Sequence, residues 1–279
     1  LFRSYGLAVP AVLGEAFCAL HHKQMTEKER TASTAQGAMT GLFDDFFDKQ
    51  YLSAGNIEQL LHENSKAVAS NEKLFNQFYK IALQNVPDKN TMINALTEVY
   101  HAQVASKKQN TSTITKKEIE EITLYKGGAS VVFYRTAFSP APSEKENQLL
   151  YNLGSLMQLC NDIFDVYKDR EHQVNTLITA AVHINDIRLL LKQQLILNQL
   201  SALHTGFAKK DIASFFSILY LGIFSRAFVC LDQLEKLERT SNNKFNVHAY
   251  SRKQLICDME KKSNQLRSAL YYIKHMQLR

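Results

Sequence analysis

Two short acidic stretches, Asp44-Asp45-Phe46-Phe47-Asp48 and Asn161-Asp162-Ile163-Phe164-Asp165-Val166-Tyr167-Lys168-Asp169, hold the residues of this chain best suited to chemistry. On an α-helix, positions four apart lie on one face, so Asp44 and Asp48 point the same way, with Asp45 about 100° round. Asn161, Asp165 and Asp169 form a second row, one turn per step. Large apolar residues flank both rows: Phe43, Phe46 and Phe47 in the first, and Leu159, Ile163 and Phe164 in the second. Each row is therefore expected on a partly buried helix. Unpaired carboxylates in such a place neutralise, find cations or bind metal. Hard carboxylate and amide oxygens suit Mg²⁺, which keeps some of its waters and is commonly shared with phosphate oxygens of a substrate.

The elements that position these rows read as helices throughout. An opening helix spans Leu1 to Leu20, interrupted by Pro10 and Gly14. Thr26 to Glu29 has the capping-box pattern, predicting a helix towards Lys49 with the first acidic row at its C-terminal end. That end of the helix dipole disfavours carboxylates, and a bound cation would compensate. Gly55-Asn56 reads as a break, followed by helices over 57–67 and 74–84 and a third from Pro87-Asp88 to about Ser106. Lys107 to Thr115 is polar and is expected to be a mobile surface loop. Thr115 to Glu118 repeats the capping box and starts a helix containing Gly127-Gly128, a pair that predicts a kink or a close backbone approach. After the turn at Ser139 to Pro142, Ser143 caps the long helix of the second row. Three further helices are predicted over 184–203, 211–237 and 247–276. The fold class is all-α, and one domain is expected over 1–279.

Composition narrows the function classes. The 33 Lys and Arg against 27 Asp and Glu give a formal charge of +6, spread along the chain. That argues against a nucleic-acid partner and is compatible with an anionic substrate. The uncharged run from Ile212 to Ser225 is shorter than the roughly 20 residues a bilayer crossing needs, so no transmembrane segment is predicted. Cys18, Cys160, Cys230 and Cys257 show no zinc spacing and read as reduced thiols, which predicts a cytoplasmic protein. No Glu is followed three residues later by His, as a di-iron bundle would require.

The two acidic stretches resemble the metal motifs of class I isoprenoid synthases, the all-helical superfamily of terpene cyclases, chain-elongating prenyl synthases and squalene/phytoene synthases. Asp44-Asp45-x-x-Asp48 resembles their first aspartate-rich motif. Asn161-x-x-x-Asp165-x-x-x-Asp169 is similar to the cyclases' Asn-Ser/Thr-Glu triad, and Gln158-Leu159-x-Asn161 with Asp165-Val166-x-x-Asp169 is similar to the second phytoene synthase motif. The resemblance implies a single large helical bundle with a central apolar pocket. It implies Mg²⁺, three ions with substrate bound, held by Asp44, Asp45, Asp48, Asn161, Asp165 and Asp169.

The substrate implied is a prenyl diphosphate, bound by Arg170, Lys168, Arg135, Gly127 and Gly128, the glycines interrupting their helix beside it. Phe47, Tyr125, Tyr134, Phe138 and Phe164 are the expected pocket wall, and Tyr250 and Arg252 a possible cover. The first motif is followed by Lys49-Gln50-Tyr51 and the second by Arg170-Glu171-His172-Gln173, unlike the basic residues of elongating synthases, which ranks terpene formation first. Head-to-head condensation, chain elongation and a non-catalytic isoprenoid-binding protein stand as alternatives. Expected partners include a peripheral membrane contact, and the expected assembly is a monomer or homodimer.

Overall fold

A computed structural model of the chain describes residues 2–48 and 70–277, with side chains described from Pro10 to His275 except at Asp44, Asp45 and Asp48. The break at Gly55-Asn56, the helix over 57–67 and Lys49-Gln50-Tyr51 lie outside the described residues. The described elements are helices: α1 (Phe2–Leu20), α2 (Glu27–Asp48), α3 (Ser70–Asn85), α4 (Lys89–Ser106), α5 (Lys116–Arg135), α6 (Glu144–Phe164), α7 (Val166–Glu171), α8 (Ile184–Ala202), α9 (Lys209–Leu219), α10 (Ser225–Thr240) and α11 (Lys262–Gln277). No strand occurs among the described residues.

The predicted caps form. Thr115 accepts from the Glu118 N–H while the Glu118 carboxylate accepts from the Thr115 N–H at 2.8 Å. Thr26 and Glu29 make the same reciprocal pair. Ser143 accepts from the Glu146 N–H and opens the helix of the second acidic row. These bonds satisfy N–H groups that a helix start otherwise leaves orphaned.

Two apolar clusters share α5. The larger is built mainly from α1, α6, α8, α9 and α10, with Leu149, Leu153, Leu156, Phe215, Phe224 and Leu231 buried in it. The smaller joins α2, α3 and α4 to Ala129 and Phe133 of α5. Helices α5 and α6 cross at a glycine contact: a Cβ on Gly127 would stand 2.0 Å from the Gly154 carbonyl oxygen, and one on Gly128 would stand 2.7 Å from the Tyr151 ring. The predicted interruption at Gly127-Gly128 is corrected here. Helix α5 runs through both glycines without a break, and the pair serves close approach.

The single helix predicted over 211–237 forms, and two other expectations change. α9 and α10 are one rod joined by a π turn at Tyr220–Phe224, where Gly222 faces Val12 of α1. Counted together, Lys209–Thr240 is long and apolar enough to cross a membrane, but much of it is packed inside the bundle. Residues 107–115 are not a free loop: Lys107–Asn110 forms a 3₁₀ turn, and Gln109 and Asn175 exchange backbone and side-chain hydrogen bonds. The helix expected over 247–276 begins only at Lys262. Before it, Asn246 accepts from the His248 N–H, Ser251 and Gln254 form a local box, and Asp258 accepts from the Glu260 N–H. Such side-chain bonds compete with helix continuation.

Candidate functional site

The second acidic row straddles the end of α6. The helix stops at Phe164, and Asp165 turns the chain with φ −96° and ψ 11° into α7. The Asp165 N–H still donates to the Asn161 carbonyl and the Asp169 N–H to the Asp165 carbonyl, both at 2.9 Å. The one-turn backbone spacing thus survives the bend from Asn161 to Asp169, and the Asp165 and Asp169 charges act on each other.

Asp162 joins them, a residue the row of fours leaves out. Asp162, Asp165 and Asp169 are spaced three and four apart, which also defines one helical face. Asp162 is buried, its Oδ1 accepts from Gln158 Nε2 at 2.7 Å, and its Oδ2 has no partner. Burial pushes the Asp162 carboxyl up to about 6, against the pull of Gln158 and Lys126. Burial together with the Asp162 and Asp165 charges pushes Asp169 to about 8, with Lys126 and Lys168 acting in the opposite direction. Burial and mutual repulsion thus oppose full ionisation of the cluster.

Beside it lies a cavity of about 610 Å³, within the size range of small-molecule sites. Its wall comes from α1 (Val12), α5 (Gly127, Ser130, Val131, Tyr134), α6 (Met157, Gln158, Asn161, Phe164), the π turn and α10 (Ile223, Arg226, Cys230) and the segment with Cys257 and Met259. Most of this lining is apolar. Asn161 and Gln158 connect it to the acidic cluster. Arg226 is the cation of the wall, exposed and without a side-chain hydrogen bond or ion pair among the described residues.

The first acidic row occupies the last turn and a half of α2. The Asp44, Asp45 and Asp48 side chains lie outside the described residues. One turn earlier, the Thr40 hydroxyl hydrogen-bonds the Tyr134 hydroxyl at 2.6 Å. Because Tyr134 lines the cavity, this bond anchors α2 beside it.

The other predicted site residues divide. Gly127, Tyr134 and Phe164 line the cavity. Four assignments are corrected. Arg135 is fully buried and donates to Glu146 at 2.8 Å and to the Phe138 and Pro140 carbonyls, with His21 Nε2 2.9 Å away, so its guanidinium is committed to the core. Phe138 packs on Phe17 with ring centroids 5.5 Å apart, beneath α1. Phe47 packs on Phe43 and Tyr100 in the smaller cluster. Tyr125 donates to Glu98 on the α4 side, and burial with that carboxylate pushes its hydroxyl up to about 12.

Arg170 holds the C-terminal segment. It donates to the Val247 and Tyr250 carbonyls and pairs with Glu171 at 2.7 Å, and it lies 4.9 Å over the Tyr167 ring. Arg252 lies 5.6 Å over the same ring, so Tyr250 and Arg252 do come to α7. Lys168 neighbours Asp169 and contributes to its field.

Sequence reasoning gave no role to Lys126 or Arg226, nor to Gln158 and Asp162, although both stand inside the stretches it quotes. The signal for Gln158 and Asp162 was their spacing of four with each other, and for Asp162 its spacing of seven with Asp169. Arg226 ends an otherwise uncharged run, a position that marks where a buried helix reaches polar surroundings.

The donor set fits a divalent cation on the evidence of the orphaned Asp162 oxygen and the hard oxygen ligands around it. No three His, Cys, Asp or Glu side chains close on one point among the described residues.

The helical bundle, with its cavity between α1, α5, α6 and α10, shares its fold with a solved dehydrosqualene synthase. The crystal structure of a dehydrosqualene synthase in complex with ligand matches it with a TM-score of 0.55, covering 95% of this chain and 91% of that one at 15% sequence identity. No family model and no curated protein matches the sequence.

Proposed function

We propose that this protein is a Mg²⁺-dependent isoprenoid synthase that ionises an allylic prenyl diphosphate and releases diphosphate. The observation that carries the reading is the buried Asp162 oxygen without a hydrogen-bond partner, close to Asp165 and Asp169 at one edge of an apolar cavity. Asn161, Asp165 and Asp169, with Asp162 beside them and Asp44, Asp45 and Asp48 from α2, are the residues that would hold metal. When bound, divalent metal neutralises charge on the leaving diphosphate and so lowers the barrier to breaking the C–O bond.

The chain's own residues supply the rest. Arg226 and Lys126 are positioned to attract an anionic head group, while the Tyr134 and Phe164 rings and the apolar wall enclose the prenyl chain. Aromatic faces stabilise a passing cation, and a mostly apolar wall offers it few nucleophiles. The reaction proposed first is terpene formation from one substrate. Head-to-head condensation of two is the second reading, favoured by the fold likeness to a dehydrosqualene synthase along nearly the whole chain.

The test is diphosphate release by purified protein with Mg²⁺ and geranyl, farnesyl or geranylgeranyl diphosphate, each alone and with isopentenyl diphosphate, with mass analysis of products. Release lost in Asp165→Asn supports the site. A cyclic hydrocarbon or alcohol identifies terpene formation, and a doubled chain identifies condensation. Folded protein that releases diphosphate from none of these overturns the proposal.

A further inference from the structure

Helix α11 wears its apolar side outward. Leu266 is 64% exposed, Leu270 48% and Ile273 49%, and with Ala269 they follow the spacing of one helical stripe. Its inner side is occupied: Tyr271 donates to Asp232 at 2.7 Å, Ser268 meets Ser225 at 2.8 Å and the His275 ring stacks on Tyr220 at 3.8 Å. The outward stripe is therefore not a core face awaiting another element of the described bundle. Helix α8 reaches α11 through Arg188 to Tyr271 and through Gln199 to His275, and it exposes Ile196 at 55% and Leu200 at 52%.

Charge selects what covers this surface. From Lys261 to Arg279 the sequence has no Asp or Glu and five Lys or Arg. Lys261, Lys262 and Lys274 are exposed, whereas Arg267 is paired inward to Asp232. In a two-fold contact between copies of this chain through the stripe, these cations would face their own equivalents. An anionic lipid surface provides the opposite charge, takes up the Leu and Ile side chains at the acyl boundary and lets lysines reach the head groups.

We propose that α11, with the exposed edge of α8, is a docking surface for anionic membranes. The bundle would lie on the bilayer without crossing it. This inference does not rest on the chemistry of the cavity.

The experiment is flotation of the full chain with vesicles of phosphatidylcholine alone or mixed with phosphatidylglycerol, alongside light scattering for mass in solution. Binding to the anionic vesicles is expected, weaker on the neutral ones and reduced by high salt. Lys262→Gln and Lys274→Gln should each weaken it about fivefold. Leu270→Asp combined with Leu266→Gln should weaken it at least tenfold with melting temperature unchanged, whereas Ile81→Gln on α3 should leave it intact. Binding that survives the α11 variants overturns the proposal. So does a stable dimer that Leu270→Asp converts to monomer in the absence of vesicle binding.

Discussion

Gly127 and Gly154 touch backbone to backbone, so that a methyl group on either would sit 2.0 or 2.1 Å from the other's carbonyl oxygen. No rotamer change relieves that overlap, because the obstructing atoms belong to the main chain. Gly127→Ala or Gly154→Ala must force α5 and α6 apart, at a cost of about 3 kcal/mol or more. Gly41, with nothing within 4 Å of its missing Cβ, is the control, and its change to Ala should be neutral or stabilising by up to about 1 kcal/mol. Denaturant titration of the three variants tests this.

The acidic cluster makes the metal-free protein sensitive to base. Asp162 and Asp169 have folded pKa values raised to about 6 and about 8, above the unfolded value near 4. Folding therefore retains protons that the unfolded chain has lost, and stability falls as pH rises from about 4 to about 8. In EDTA the melting temperature should drop across that window. Asp169→Asn should flatten the drop while abolishing any stabilisation by added Mg²⁺. A profile in Asp169→Asn unchanged from the parent would contradict the assignment.

Arg135 and Glu146 form a buried pair whose loss acts on stability and not on the cavity. Burial works against the Glu146 charge, but hydrogen bonds from His21 and the charge of Arg135 outweigh it and hold its carboxyl below the usual range. Its contribution is present above about pH 4.3 and fades as pH falls through the lowered folded value. Arg135→Met leaves a carboxylate buried without its main partner and should cost about 3–5 kcal/mol. Any prenyl-diphosphate KM measured on the folded fraction should be unchanged.

Thiol reagents should distinguish the cysteines. A hydrogen bond from Cys230 lowers Cys257, which is partly exposed in the cavity wall, while the same bond and burial raise Cys230. Burial raises Cys18 to about 11 and raises Cys160 further. At neutral pH iodoacetamide should modify Cys257 first, and peptide mapping would show it. Adduct at that position narrows the cavity, so a substrate that fills it should protect the thiol.

The helices were legible because their signals are local: Thr115-x-x-Glu118 and Thr26-x-x-Glu29 satisfy their own helix starts, and the apolar period of α6 is unbroken to Phe164. The second acidic row was legible for the same reason. Arg135 was misread because its charge pointed to a ligand, whereas its partners, His21 and Glu146, come from two other helices that sequence spacing does not relate to it. The glycine pair was misread through resemblance, since the decisive neighbour, Gly154, lies 27 residues further on. Phe47, Tyr125 and Phe138 have the right chemistry for a pocket wall, but which of them meets the cavity depends on how α2, α4 and α1 pack around α5 and the turn that follows it.

Helix α6 has empty space on two sides. Gly154, Met157 and Asn161 border the cavity of about 610 Å³, while Asn152, Ser155, Leu156 and Leu159 border a second of about 620 Å³ between α5, α6 and α8. Both are open to solvent, so water occupies them until something displaces it. An apolar chain entering the first should therefore bury its wall and give a negative heat-capacity change of binding, which titration calorimetry at several temperatures measures.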